Sequence, residues 1–92
     1  MTLEEAIEMQ KEVPSWEVID DGQALRRIFT FNNHYEVLAF VNAVAWISHR
    51  EDHHPNTTAG YSRCELLYTT HAVEGLTEND FICASKVDAL LE

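Results

Sequence analysis

Two cysteines, two prolines and three glycines are all that this 92-residue chain holds of those types. Cys64 and Cys83 have neither zinc-like nor redox-motif spacing, so they read as two reduced, buried thiols of a cytosolic protein. Spacing alone leaves a disulfide between them open. There is no low-complexity tract, internal repeat or interdomain linker, and residues 1–92 read as a single domain. Basic residues are scarce too: six Lys and Arg stand against sixteen Asp and Glu, for a formal net charge of −10. That balance repels phosphate backbones and anionic lipid surfaces, which argues against direct contact with nucleic acid or membrane. No apolar run approaches the roughly 20 residues needed to span a bilayer. The opening Met1-Thr2-Leu3-Glu4-Glu5 lacks the basic segment and apolar run of a signal peptide, so a cytoplasmic protein is expected.

What is present is an ordinary folding composition, 46% hydrophobic and 24% charged. The acidic side chains are scattered and read as a solvated surface. A chain of this size can build a two-layer core but is marginal alone, so oligomerisation is expected.

The periodicities predict six elements. Thr2 with Glu5 forms a capping box for a helix over about residues 3–11, with Leu3, Ala6 and Ile7 on one face and Pro14 as a stop. Residues 16–20 alternate as a strand. Asp20-Asp21-Gly22-Gln23 carries an Asp-Gly turn signal into a second strand, with Leu25, Arg27, Phe29 and Phe31 on one side. Asn33 caps the next helix, with Glu36 at the capping-box position, and Val37, Phe40, Val41, Val44 and Ile47 follow at helical spacing. That helix must end before Pro55. Residues 56–60 read as a polar loop and 61–70 as a third strand, with Cys64, Leu66, Tyr68 and Thr70 on one face. Thr77 caps a last helix whose stripe is Phe81, Ala84, Val87 and Leu91. The fold class is α+β: an antiparallel sheet of three to four strands with three helices packed on one face, in the order α-β-β-α-β-α.

Four of the five histidines fall between positions 49 and 71. Imidazole, with an unperturbed pKa of about 6.5, exchanges protons near neutrality and is also a common metal ligand. His49 and His53 have the i, i+4 spacing of zinc ligands, but His49-Arg50-Glu51-Asp52-His53 puts the acidic residues out of place for a metalloprotease helix. His49 also suits a helix C-terminus as a surface residue. His53 and His54 continue no apolar stripe and are needed for no turn. His71 follows Thr69-Thr70 at a strand end, where side chains often project into sites. Asp80 suits a helix's first turn as a capping carboxylate. His34 reads as solvent-facing. The residues themselves leave two chemistries open: acid–base catalysis, or a metal centre on His53, His54, His71 and Asp80.

His49-x-x-x-His53-His54-Pro55, then Tyr61, His71 and Asp80, resembles the signature of the pterin-4a-carbinolamine dehydratases. Trp16, Phe29-x-Phe31, Phe40, Gly75-Leu76-Thr77 and Ala84 agree with it, and the likeness runs through about 80 residues. One departure is Thr57, where many relatives carry an aromatic residue, so the packing of the pocket wall differs. The resemblance implies dehydration of 4a-hydroxytetrahydrobiopterin to quinonoid dihydropterin and water. That step belongs to tetrahydrobiopterin recycling, downstream of aromatic amino-acid hydroxylases. It implies histidine acid–base catalysis with no metal or organic cofactor. In that scheme His53 and His71 act as acid and base, and His54 holds the substrate and assists. Asp80 orients a histidine, and Trp16 walls the flat ring. Pro55, Thr70, Ala72 and Val73 line the site, partly through backbone groups. Relatives form dimers or tetramers, so a homodimer or homotetramer is expected. Animal members also serve as a dimerisation cofactor of a homeodomain transcription factor. The alternative function is therefore an interaction module of the coactivator type with idle histidines.

Overall fold

The computed structural model describes residues 1–92. Seven elements follow one another: α1 (Leu3–Gln10), β1 (Glu17–Ile19), β2 (Ala24–Thr30), α2 (His34–Glu51), β3 (Asn56–Ala59), β4 (Arg63–Tyr68) and α3 (Glu78–Ala89). The α+β class holds, and the order is α-β-β-α-β-β-α. The four strands form one antiparallel sheet in the spatial order β1-β2-β4-β3.

The extra strand is β3, in the segment expected to be a loop. All four of its side chains are exposed, so no burial alternation marks it in the sequence. It is held by its backbone pairing with β4, from Asn56 opposite Leu67 to Ala59 opposite Cys64. Two consecutive threonines were the available signal, because β-branched side chains favour strands.

The predicted helix caps are present. Thr2 and Glu5 exchange both capping-box hydrogen bonds. Asn33 Oδ1 accepts from Glu36 N, but the Glu36 carboxylate reaches back to Asn32 N, one residue further than a capping box requires. The β1–β2 connection is wider than a two-residue turn. Asp20, Asp21 and Gly22 take three successive left-handed conformations, with φ of 52°, 55° and 89°. A side chain at Gly22 would also meet Leu3 Cα at 3.0 Å, so glycine is required there twice over.

The core lies between the helices and one sheet face. Leu25 and Phe29 of β2 and Cys64, Leu66 and Tyr68 of β4 meet Val37, Phe40 and Val44 of α2 and Phe81, Cys83, Ala84 and Val87 of α3. Leu3 and Ile7 leave only Ala6 of α1 buried, and Leu91 lies past the end of α3, exposed rather than on its stripe. No helix is long and apolar enough to cross a membrane.

Candidate active site

α2 ends at Glu51, and Asp52 caps it in the left-handed conformation, φ 50°. That reversal, with His53 N donating to Ser48 O at 3.1 Å, turns His53 off the helix axis and toward α3. There its Nε2 meets Asp80 Oδ1 at 2.5 Å. Asp80 is 0% exposed. Its other oxygen, Oδ2, accepts from Thr70 Oγ1 at 2.8 Å and from Thr77 N at 3.0 Å. The hydroxyls of Thr70 and Thr77 stand 2.9 Å apart. Because Thr70 spends its hydrogen on Asp80, Thr77 donates to Thr70. Asp80 thus caps α3 and meets a histidine with the same carboxylate.

A carboxylate only accepts, so His53 Nε2 carries the hydrogen of this bond and the lone pair of the neutral ring is on Nδ1. The His53 side chain is 14% exposed, which leaves one edge of the ring reachable. One face lies against Tyr68, centroids 5.8 Å apart and planes 19° from parallel. Burial pushes the Tyr68 phenol above its ordinary range, with Cys83 and Asp80 adding to the rise.

The other predicted residues occupy separate surroundings. His54 is exposed, and with Pro55 and Thr57 it lines a groove of about 220 Å³ against Val44 and Ser48 of α2. Thr57, the departure from the expected aromatic, forms part of that wall. His71 opens a short 3-10 turn, His71–Val73, closed by the backbone pair Thr70–Gly75. It lines a polar cavity of about 260 Å³ with Asp20, Gln23, Thr69 and Glu74 beside the β1–β2 connection. Ala72 and Val73 are exposed on the same turn. The structure therefore brings His53, Asp80 and Thr70 together, while His54 and His71 line two other cavities. Thr77, read from sequence only as a helix cap, is the additional member of the buried network.

Trp16 is not at the surface of the site. It is 1% exposed, with Nε1–H donating to Asp88 Oδ1 at 2.8 Å, and it packs on Phe29 and Tyr68. A buried indole offers no face to a ligand, so the expectation that Trp16 walls a substrate ring is corrected: it supports Tyr68 from within the core. His34 is not free in solvent either, since it stacks on Tyr61 at 5.9 Å. His49 stacks on Trp46 on the outer side of α2, away from His53's partner. No three His, Cys, Asp or Glu side chains converge as a ligand set for a metal ion, so the four-residue metal centre is not assembled.

Residues 1–90 match the family model described as pterin 4 alpha carbinolamine dehydratase. A protein of Nitrosospira multiformis, provisionally named a pterin-4-alpha-carbinolamine dehydratase, is 51% identical over 92 residues, covering all of this chain and 80% of its own length. A counterpart from Nitrosomonas eutropha with the same provisional name is 54% identical over 89 residues, 96% of this chain and 77% of the relative. Among solved structures, a transcriptional coactivator/pterin dehydratase from Brucella melitensis superposes with a TM-score of 0.93 at 28% identity, over 100% of this chain and 98% of that one. A pterin dehydratase-like protein described as a RuBisCO assembly factor of the alpha-carboxysome gives 0.71 at 26% identity, over 83% and 88%. With residues 1–90 matched by one family model and relatives about half identical along it, this chain belongs to the pterin-4-alpha-carbinolamine dehydratase family.

Proposed function

We propose that the protein dehydrates a 4a-hydroxytetrahydropterin, with 4a-hydroxytetrahydrobiopterin as the expected substrate, and that His53 moves a proton at the reacting atoms. The observation that carries this reading is the contact between His53 Nε2 and the fully buried Asp80. The reaction breaks the C4a–O bond and removes the N5 hydrogen, giving a C=N bond and water. One group must take the N5 proton, and another must protonate the departing oxygen, because hydroxide leaves poorly. In the neutral His53 ring the lone pair on Nδ1 takes the N5 proton. The resulting imidazolium is met by the Asp80 carboxylate, which is fixed by Thr70 and Thr77. His71 and His54, exposed at the ends of neighbouring segments, are proposed to supply the leaving-group proton and to hold the ring. Pro55, Thr70, Ala72 and Val73 are proposed to border the substrate. General acid–base catalysis of this kind is worth about 10²–10⁴-fold.

The test is stopped-flow absorbance of freshly generated 4a-hydroxytetrahydropterin, with and without protein and with a chelator present. Faster decay that survives chelation and falls by roughly 10²-fold in His53→Ala supports the reading. No acceleration by folded protein overturns it.

A second reading has an observation of its own. Tyr35, Leu38 and Trp46 of α2 are exposed, Tyr35 by 81% and Trp46 by 61%, and the similar solved structures include a transcriptional coactivator/pterin dehydratase and a RuBisCO assembly factor. We propose that this face makes protein contacts, first of all a homodimer or homotetramer. The same kinetic assay separates the dehydratase from an interaction module of the coactivator type, since a module with idle histidines would not accelerate the decay.

A further inference from the structure

Tyr68 presents three facts that the acid–base scheme leaves unused. It is 0% exposed, its ring lies within 19° of parallel to that of His53, and its buried hydroxyl makes no hydrogen bond of good geometry, with Ser48 as its polar neighbour. A buried phenol kept for its hydroxyl would find a partner. One kept for its ring need not. The Tyr68 ring also meets Trp16, at 5.7 Å between centroids and 49° between planes. Trp16 is in turn fixed by its N–H bond to Asp88, which also receives Arg27 Nη1 at 2.6 Å. The histidine thus lies against a tyrosine that packs on an indole anchored through α3 to β2, while its Nε2 is held by Asp80.

We infer that Tyr68 is a positioning residue, whose ring face sets the plane of His53 while Asp80 sets its tautomer. Two constraints are needed, because a single Nε2–H···Oδ1 bond leaves the imidazole free to rotate about the bond's axis. That rotation would carry Nδ1 out of line with the proton it takes. A flat wall at stacking distance stops it, and misplacements of about 1 Å can cost a reaction 10²-fold. A phenol is uncharged near neutral pH and burial raises it further, so the wall stays neutral. Trp16 therefore contributes to the site from behind, through Tyr68, rather than by touching substrate.

The inference rests on the dehydratase reading for its kinetic arm, and the test carries a second arm that does not. Tyr68→Phe keeps the ring and removes the hydroxyl, so kcat should stay within about twofold, with an unchanged or higher melting temperature. Tyr68→Leu removes the flat face, so kcat should fall roughly tenfold to a hundredfold with KM nearly unchanged. In a His53→Ala background the same Leu change should cost nothing further, since Tyr68 acts only through His53. A purely structural role would lower activity in both backgrounds. Equal losses for Phe and Leu would show that the hydroxyl acts directly and overturn the inference, as would wild-type kcat in the Leu variant.

The second arm is proton NMR of the unliganded protein, which needs no turnover. The His53 ring protons should be displaced upfield by the Tyr68 face, and a downfield Nε2–H resonance should persist in Tyr68→Phe and vanish in Tyr68→Leu. Were the Leu variant to misfold, His53 signals of the wild type at random-coil positions would still overturn the stacking. An inactive wild type with these signals intact would remove the dehydratase reading and leave the positioning in place.

Discussion

Asp80 is the one charged residue fully inside the core, and the donor 2.5 Å from its Oδ1 is His53 Nε2. Burying a carboxylate is tolerable only when its lone pairs are matched, and here three donors match them: His53, Thr70 and Thr77. The arrangement fixes one tautomer of the histidine by burying the group that selects it.

Asp80→Asn is the direct test. The amide has one accepting oxygen and an NH₂ group, so one of the three donors must face another donor. If the NH₂ turns to His53, the neutral ring must move its hydrogen to Nδ1 and lose the lone pair that takes the proton. The expected result is a fall in kcat of roughly 10²-fold or more with KM within about threefold, in the range of His53→Ala. Wild-type kcat in Asp80→Asn, measured by stopped flow, would remove Asp80 from the proton path.

Much of this architecture is legible in the residues, and the gaps have physical reasons. Thr2, Asn33 and Thr77 announce helix starts because capping is local chemistry, settled within four residues. Strand β3 is silent because an exposed edge strand has no burial period to display. The partnership of His53 with Asp80 spans 27 residues and depends on the left-handed turn at Asp52, which no spacing rule foretells. Tyr68 looks like one more inward residue of β4, and only the sheet register aims its ring at His53. Trp16 is legible as important but not as buried, since one aromatic before a strand fits a pocket wall and a core equally well. His71 begins a turn after β4 has ended, so its neighbours at the β1–β2 connection are set by the fold and not by spacing.

The correction on Trp16 makes its own prediction. Trp16→Phe removes the N–H bond to Asp88 and some core volume while leaving an aromatic ring against Tyr68. Stability should fall by about 1–3 kcal/mol, as for a buried hydrogen bond left with one partner, while KM stays near wild type. Urea unfolding and steady-state kinetics read the two effects separately. A large rise in KM at unchanged stability would return Trp16 to the substrate's side.

The outer side of α2 should be an assembly surface. Tyr35, Leu38 and Trp46 together expose apolar area that a lone domain of this size rarely leaves uncovered. Sedimentation velocity of the wild type should show a species larger than the 10.6 kDa monomer, and Trp46→Glu should shift it toward the monomer with circular dichroism unchanged. A wild type that sediments as a monomer at micromolar concentration would remove the homo-oligomer proposal.

High pH should loosen the core through its buried thiols. Burial, aided by the nearby Glu51 and Asp80 charges, raises Cys83 from 9.0 to about 11, and burial also raises Cys64. The sign follows from which state ionises first. Below about pH 9 the thiol is protonated in both the folded and the unfolded chain, and its contribution to stability is fully present. Between about pH 9 and 11 the unfolded chain loses its proton while the folded one keeps it, so stability declines as pH rises. Two pH units correspond to roughly 2–3 kcal/mol for Cys83, gone once the folded pKa is passed. The Tyr68 phenol, also raised by burial, adds to the same decline at its upper end. The urea midpoint should therefore drop between about pH 8 and about pH 10.5, and Cys83→Ala should flatten that drop without abolishing it, since Cys64 and Tyr68 remain. An equally steep drop in Cys83→Ala would mean that the thiol is not the group being ionised.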